Sequence, residues 1–266
     1  MRSACQSSQF LCFIYTSFEY GLDWLQDMHP KVEYGRPLFR MGTVAFVLGI
    51  VIFLVSSMLH PSGEDPTDHL RVFAEYAQSN IWIAVHIGQF ASGMLVFAGG
   101  FVTVYRFLVK SSESGLVSAL AWLGLAVTIL TASTLVILQT VDGISLKRAV
   151  DSWAAAPQQE KVVAFRVAEG IRWTEIGLAS MFRILQGATA IIFGAAIAIK
   201  RGDFPRWVGG IGVFAGILTI NDGILVAYIG FASSHLAATY ELTYAVWVAI
   251  IGIFMWKRTM TKMAIP

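Results

Sequence analysis

The sequence predicts an all-α membrane protein. It reads as a polytopic bundle of about six transmembrane helices, with both termini inside and short amphipathic helices on the outer side. Three observations carry this. Hydrophobic residues make up 56% of the 266 residues and charged residues only 14%, well below the ~25% charged residues of a soluble domain. Apolar runs of 18 or more residues recur along the chain, enough to cross the ~30 Å hydrocarbon core of a bilayer. Glycine is abundant (24) and falls mostly inside those runs, while proline is scarce (7), as expected of helices that pack closely in lipid.

Residues 1–37 read as an amphipathic or disordered leader. The apolar stretch 10–18 is too short to span, and no small-residue cleavage site follows it. The transmembrane domain is expected over 38–257, with a short cytoplasmic tail at 258–266. The first span, 39–59, is flanked by Arg36 and Arg40 and stopped by His60-Pro61. In the polar stretch 61–80, the segment 68–77 has apolar residues at helical spacing. It predicts a surface helix capped by Asp65 or Thr67. Further spans are expected at 81–108, 116–140, 171–199, 207–232 and 240–256. A long loop is expected at 141–170, holding two amphipathic helical segments at 145–153 and 158–168. The turn 200–206, K-R-G-D-F-P-R, stops one helix and restarts the next.

Basic residues decide the orientation, because they are retained on the cytoplasmic side. Arg36, Arg40, Arg106, Lys110, Lys200, Arg201, Arg206, Lys257, Arg258 and Lys262 gather at the end that holds the termini. The loop 61–80 has Arg71 against four acids, and the loop 233–240 has no basic residue. The 141–170 segment dissents with mixed charge. The termini are therefore expected inside, and the plasma (inner) membrane is the expected location.

The helix 169–199 holds the most informative residues. Glu175 lies near its outer end, and Arg183 falls well within its apolar band, where an unpaired charge costs several kcal/mol. Asp222 on the following helix lies at a matching depth. Side chains lean toward their own helix N-terminus, so Arg183 and Asp222 are expected to pair, directly or through Glu175. His86, Gln89, Gln139, Asp142, Arg172, Tyr228, Glu241 and Tyr244 fall toward the same end. An outward-facing polar pocket follows, lined by Arg183, Asp222, Glu175, Gln186, His86 and Asn221, that binds or passes a small polar or anionic ligand. Gly212-x-x-x-Gly216 reads as a helix-packing face.

Other chemistry finds little support. Cys5 and Cys12 form no C-x-x-C pair and no disulfide framework. No zinc or serine-hydrolase motif, phosphate loop or mid-span lysine for a Schiff base is present. His60, His86 and His235, with His69 and Asp222 nearby for zinc, are the candidates for a metal or haem site, and their spacing does not indicate one. The net charge of +2 and the lack of a basic run argue against nucleic acid. A membrane-embedded enzyme and a purely structural subunit stand as the two alternatives to ligand binding.

Two segments, M-F-R-I-L-Q-G-A-T-A-I-I (181–192) and G-D-F-P-R-W-V-G-G-I-G-V (202–213), resemble a bacterial multi-pass membrane family known only as a domain of unknown function. The likeness covers the C-terminal half, with Gly187 where that family usually has Ala. It implies the same fold and weight on Arg183 and Gln186, and no activity.

Overall fold

The computed structural model describes residues 35–110, 115–200 and 204–261. Residues 1–34 of the expected leader and 262–266 of the expected tail lie outside the described residues. The helices from Leu38 onward form one unit. Seven helices follow one another among the described residues, and six are long and apolar enough to cross a membrane.

Helix α1, Gly35–Leu59, carries Pro37 in its first turn, where no backbone donor is missed. It stops before His60-Pro61. Helix α2, His69–Gln78, is the short surface helix. Its cap is Asp68, whose carboxylate accepts from the Arg71 N–H at 3.2 Å. Asp65 instead accepts from the Thr67 N–H and hydroxyl at 2.9 and 2.7 Å. The turn it closes comes first and displaces the cap by three residues.

Helix α3 runs as Trp82–Met94, widens into a π segment at Leu95–Phe101 and continues over Val102–Lys110. Helix α4 spans Gly115–Thr140, passes through a second π segment at Val141–Leu146 and ends with Lys147–Ala155. Helix α5, Lys161–Ile199, is 39 residues long. The two amphipathic segments expected at 145–153 and 158–168 are helical, but they continue the spanning helices rather than sit in a separate loop. Their apolar faces have a partner, so helix formation wins over surface polarity. Only Pro157 and the turn 156–160 interrupt them. Val72, Phe73, Tyr76, Trp82, Leu146, Val150, Trp153 and Ala168 close a small apolar core between α2 and the ends of α4 and α5. At ~1.5 Å per residue, α5 is about 58 Å long, so it projects beyond a ~30 Å hydrocarbon layer.

Helix α6, Arg206–Ile229, starts after Pro205. It ends at Gly230, whose φ of 62° is the only positive φ among the described residues and favours glycine. A short 3₁₀ turn, Gly230–Ser233, leads into α7, Ser234–Thr261.

Helices α5 and α6 approach closely. A Cβ built at Gly187 would stand 2.5 Å from the Gly216 carbonyl oxygen, and one at Gly216 would stand 2.5 Å from that of Gly187. Gly212 meets the Trp247 ring of α7, so the two glycines of the G-x-x-x-G face serve two different neighbours. The half of the bundle nearer the termini is packed with aromatic rings. Phe46, Phe101, Phe193 and Trp247 are fully buried there, with ring centroids of Phe101 5.3 Å from both Phe46 and Phe193. Only 28–39% of each span is buried within the bundle, and the rest is largely apolar and exposed. A soluble chain rarely leaves so much apolar surface uncovered. Lipid covers it here.

Candidate functional site

A cavity of about 440 Å³ occupies the distal half of the bundle, away from the termini. That size suits a small-molecule ligand. One wall is a stripe of α5 at helical spacing: Arg172, Glu175, Ala179, Phe182, Arg183 and Gln186. Gln89 and Phe97 come from α3, Gln139 and Asp142 from α4, Glu241 and Tyr244 from α7, and Tyr76 from α2. Both π segments border the cavity, through Val96 and Phe97 in the first and Asp142 in the second. Such segments are frequent at functional sites because the extra residue re-aims the side chains that follow.

Arg172 and Glu175 are 3% exposed each. The Arg172 Nη1 donates to both carboxylate oxygens of Glu175, at 2.8 and 2.9 Å. Its guanidinium carbon lies 4.7 Å from the Phe231 ring centre and 5.6 Å from that of Tyr76, within cation–π range. Burial pushes the Tyr76 phenol up, despite the opposing charge of Arg172, so Tyr76 stays neutral.

Arg183 lies one stretch deeper. Its Nη1 donates to Asp222 Oδ2 at 2.7 Å, and its Nη2 stands 3.7 Å from Glu241 Oε1. The expected pair thus forms directly. Glu175 does not bridge it, because Arg172 on its own helix holds both its oxygens. Asp222 is 1% exposed and holds Arg183 from outside the cavity lining. Asn221 is exposed on the outer surface of the bundle and borders no part of the cavity. One residue along a helix turns the side chain by ~100°, which takes Asn221 away from the face that Asp222 occupies.

His86 does not line the cavity either. It is 2% exposed and stacked on Trp82, with centroids 4.4 Å apart. Its Nδ1 is 2.8 Å from the Trp82 carbonyl oxygen and its Nε2 is 3.0 Å from Asp142 Oδ2. A carbonyl only accepts, so Nδ1 carries a hydrogen and Nε2 faces the carboxylate. Gly143, in the π segment, makes room for the His86 ring: a Cβ there would stand 2.5 Å from His86 Cβ. His86 therefore acts on the cavity through Asp142.

His86 Nδ1 is engaged by the Trp82 carbonyl, while Nε2 lies at ion-pair distance from Asp142 without hydrogen-bond geometry. The His60 ring centre is 5.2 Å from that of His86, and among the described residues no group of three metal-donor side chains converges. The His235 side chain lies outside the described residues. Partial burial pulls the His60 ring below the usual histidine range, against the pull of Asp142.

Four residues that border the cavity keep a buried polar atom with no partner among the described residues: Gln139 Oε1, Asp142 Oδ1, Arg172 Nε and the Tyr244 hydroxyl. Sequence reasoning placed Gln139, Asp142, Arg172 and Tyr244 at this end without assigning them to the pocket. It missed Tyr76, Phe97, Phe182 and Phe231 entirely. No local pattern separates these aromatics from ordinary core residues.

The fold and this cavity define a multi-pass integral membrane protein. Compared with protein-family models, with curated proteins and with solved structures, the chain matches none.

Proposed function

We propose that the protein binds a small polar ligand in the distal cavity, on the outer side of the plasma (inner) membrane. The observation that carries this is the set of unpartnered buried polar atoms on residues that border one cavity. A buried polar group without a partner costs about 1–3 kcal/mol, and four beside the same space are a cost that a bound polar molecule offsets. The orientation is read from charge: the basic residues gathered at the terminal end favour termini inside and a cavity mouth outside. The resemblance of the C-terminal half to a bacterial membrane family agrees with that location.

The test is a thermal-shift screen of the full chain in nanodiscs against small cationic, neutral, zwitterionic and anionic compounds. One class should raise the midpoint with rising concentration, as a ligand of the native state must. The shift should vanish in Tyr244→Phe, which removes only the unpartnered hydroxyl. A flat response to every class would overturn the proposal.

A further inference from the structure

The geometry points to a small organic cation of the alkylammonium class as the ligand of this cavity, an assignment that rests on the ligand-binding reading above. The charge inventory carries it. Five acidic side chains line the cavity, Glu64, Glu75, Asp142, Glu175 and Glu241, against two arginines, Arg172 and Arg183. Asp222, held against Arg183, makes six acids against two bases. A proton on each of His60 and His86 would still leave the acids in excess by two.

Both arginines are already paired with a carboxylate. Arg172 Nη1 meets Glu175 and Arg183 Nη1 meets Asp222, both through contacts under 3 Å. Each guanidinium charge is thereby offset within the protein, which weakens its pull on a bound anion. Asp142 Oδ1, by contrast, has no partner. Glu241 makes only a 3.7 Å contact and is 40% exposed.

The walls between these carboxylates are aromatic: Tyr76, Phe97, Phe182, Phe231 and Tyr244 border the same space. Aromatic faces with nearby carboxylates attract an ammonium ion by its charge and by the ring quadrupole. The cavity already demonstrates this preference internally, since Phe231 carries the Arg172 guanidinium on one contact and that of Arg183 at 5.8 Å on another. Tyr244, 5% exposed with an unpartnered hydroxyl, adds an acceptor that is independent of the acidic cluster.

The experiment uses three probes of nearly one shape. Choline, its neutral carbon isostere dimethylbutanol and the anion dimethylbutyrate are titrated by calorimetry into the full chain in nanodiscs of neutral lipid, with empty nanodiscs as the blank. Choline should bind at least about tenfold more tightly than dimethylbutanol, which corresponds to about 1.4 kcal/mol, and dimethylbutyrate should bind weakest. Glu241→Gln should weaken choline about two- to fivefold, the range for a half-exposed charge, with an unchanged melting midpoint. Asp142→Asn should weaken it further. Equal binding of choline and dimethylbutanol, or a preference for dimethylbutyrate, would overturn the cation assignment and leave the cavity a ligand site. If none of the three binds while another class in the thermal-shift screen does, the cation assignment alone falls. If nothing binds in either experiment, both fall together.

Discussion

Helix α5 carries two arginines on one face, eleven residues apart, and the bundle treats them differently. Arg172 takes its carboxylate from its own helix, three residues on, and both groups are almost fully buried. Arg183 takes its carboxylate from α6 and keeps 16% of its side chain exposed. The first pair forms within a single helix, so it does nothing to specify how helices meet. It places a neutralised charge beside the Tyr76 and Phe231 rings and Asp142. The second pair forms only when α5 and α6 stand in the observed register, so it ties two helices together. The same residue type thus furnishes a cavity wall at one depth and an interhelical tie at the next.

The largest effect should come from unpairing Arg172. Glu175→Ala leaves a guanidinium buried with no carboxylate, and a broken buried pair costs about 3–5 kcal/mol. Unfolding in nanodiscs should show that loss. Arg172→Leu with Glu175→Leu should recover most of it, because replacing a whole buried pair by apolar groups is often neutral. The recovered protein should no longer bind the cavity ligand.

At the second arginine, Asp222→Asn should cost less, since Arg183 keeps some solvent contact and Glu241 nearby. A double-mutant cycle with Arg183→Gln should give a coupling of about 1–3 kcal/mol. Exchanging the two residues, Arg183→Asp with Asp222→Arg, should restore stability if the tie is structural. A stable exchanged protein that fails to bind ligand would move this pair into the cavity's function.

A third change separates the pairs by distance. Gly187→Ala should push α5 from α6 at the glycine contact, with a cost of about 1–3 kcal/mol for overpacking. The Arg183–Asp222 coupling should shrink in that background. The Arg172–Glu175 coupling, contained in one helix, should not change.

The smallest effect is the pH response of His60, which neighbours the Arg172 end of the cavity. Its folded-state pKa is lowered from 6.5 by burial, so the unfolded chain binds more protons. Stability is therefore fully present above pH 6.5 and declines as pH falls below it, toward the folded value. Melting midpoints across that window should show the decline, and His60→Phe should flatten it.

Much of this was legible in the sequence for a definite reason. A membrane span announces itself by length and hydropathy, and a charge inside one must find a partner. Arg183 and Asp222 could be matched from depth and side-chain lean alone. The segment 141–170 could not be read the same way. Its two amphipathic segments read as helical but separate, and only the packing of Leu146, Val150 and Trp153 against α2 shows that they continue the spanning helices. Asn221 and Asp222 were read together because they are adjacent, yet adjacency puts them on different faces. Glu175 was offered to Arg183, but Arg172 lies closer along the same helix.

The sequence by itself determined the class of protein, the number of spans and the end of the bundle where polar residues gather. These follow from local composition, because lipid penalises every exposed polar group wherever it lies. Only the tertiary structure decided that the polar residues enclose a cavity, that aromatic rings from five helices and the turn after α6 form its walls, and that its acids outnumber its bases. Those properties depend on which helix faces meet, and on two π segments that rotate Phe97 and Asp142 into place. Rotation about a helix axis leaves no trace in composition.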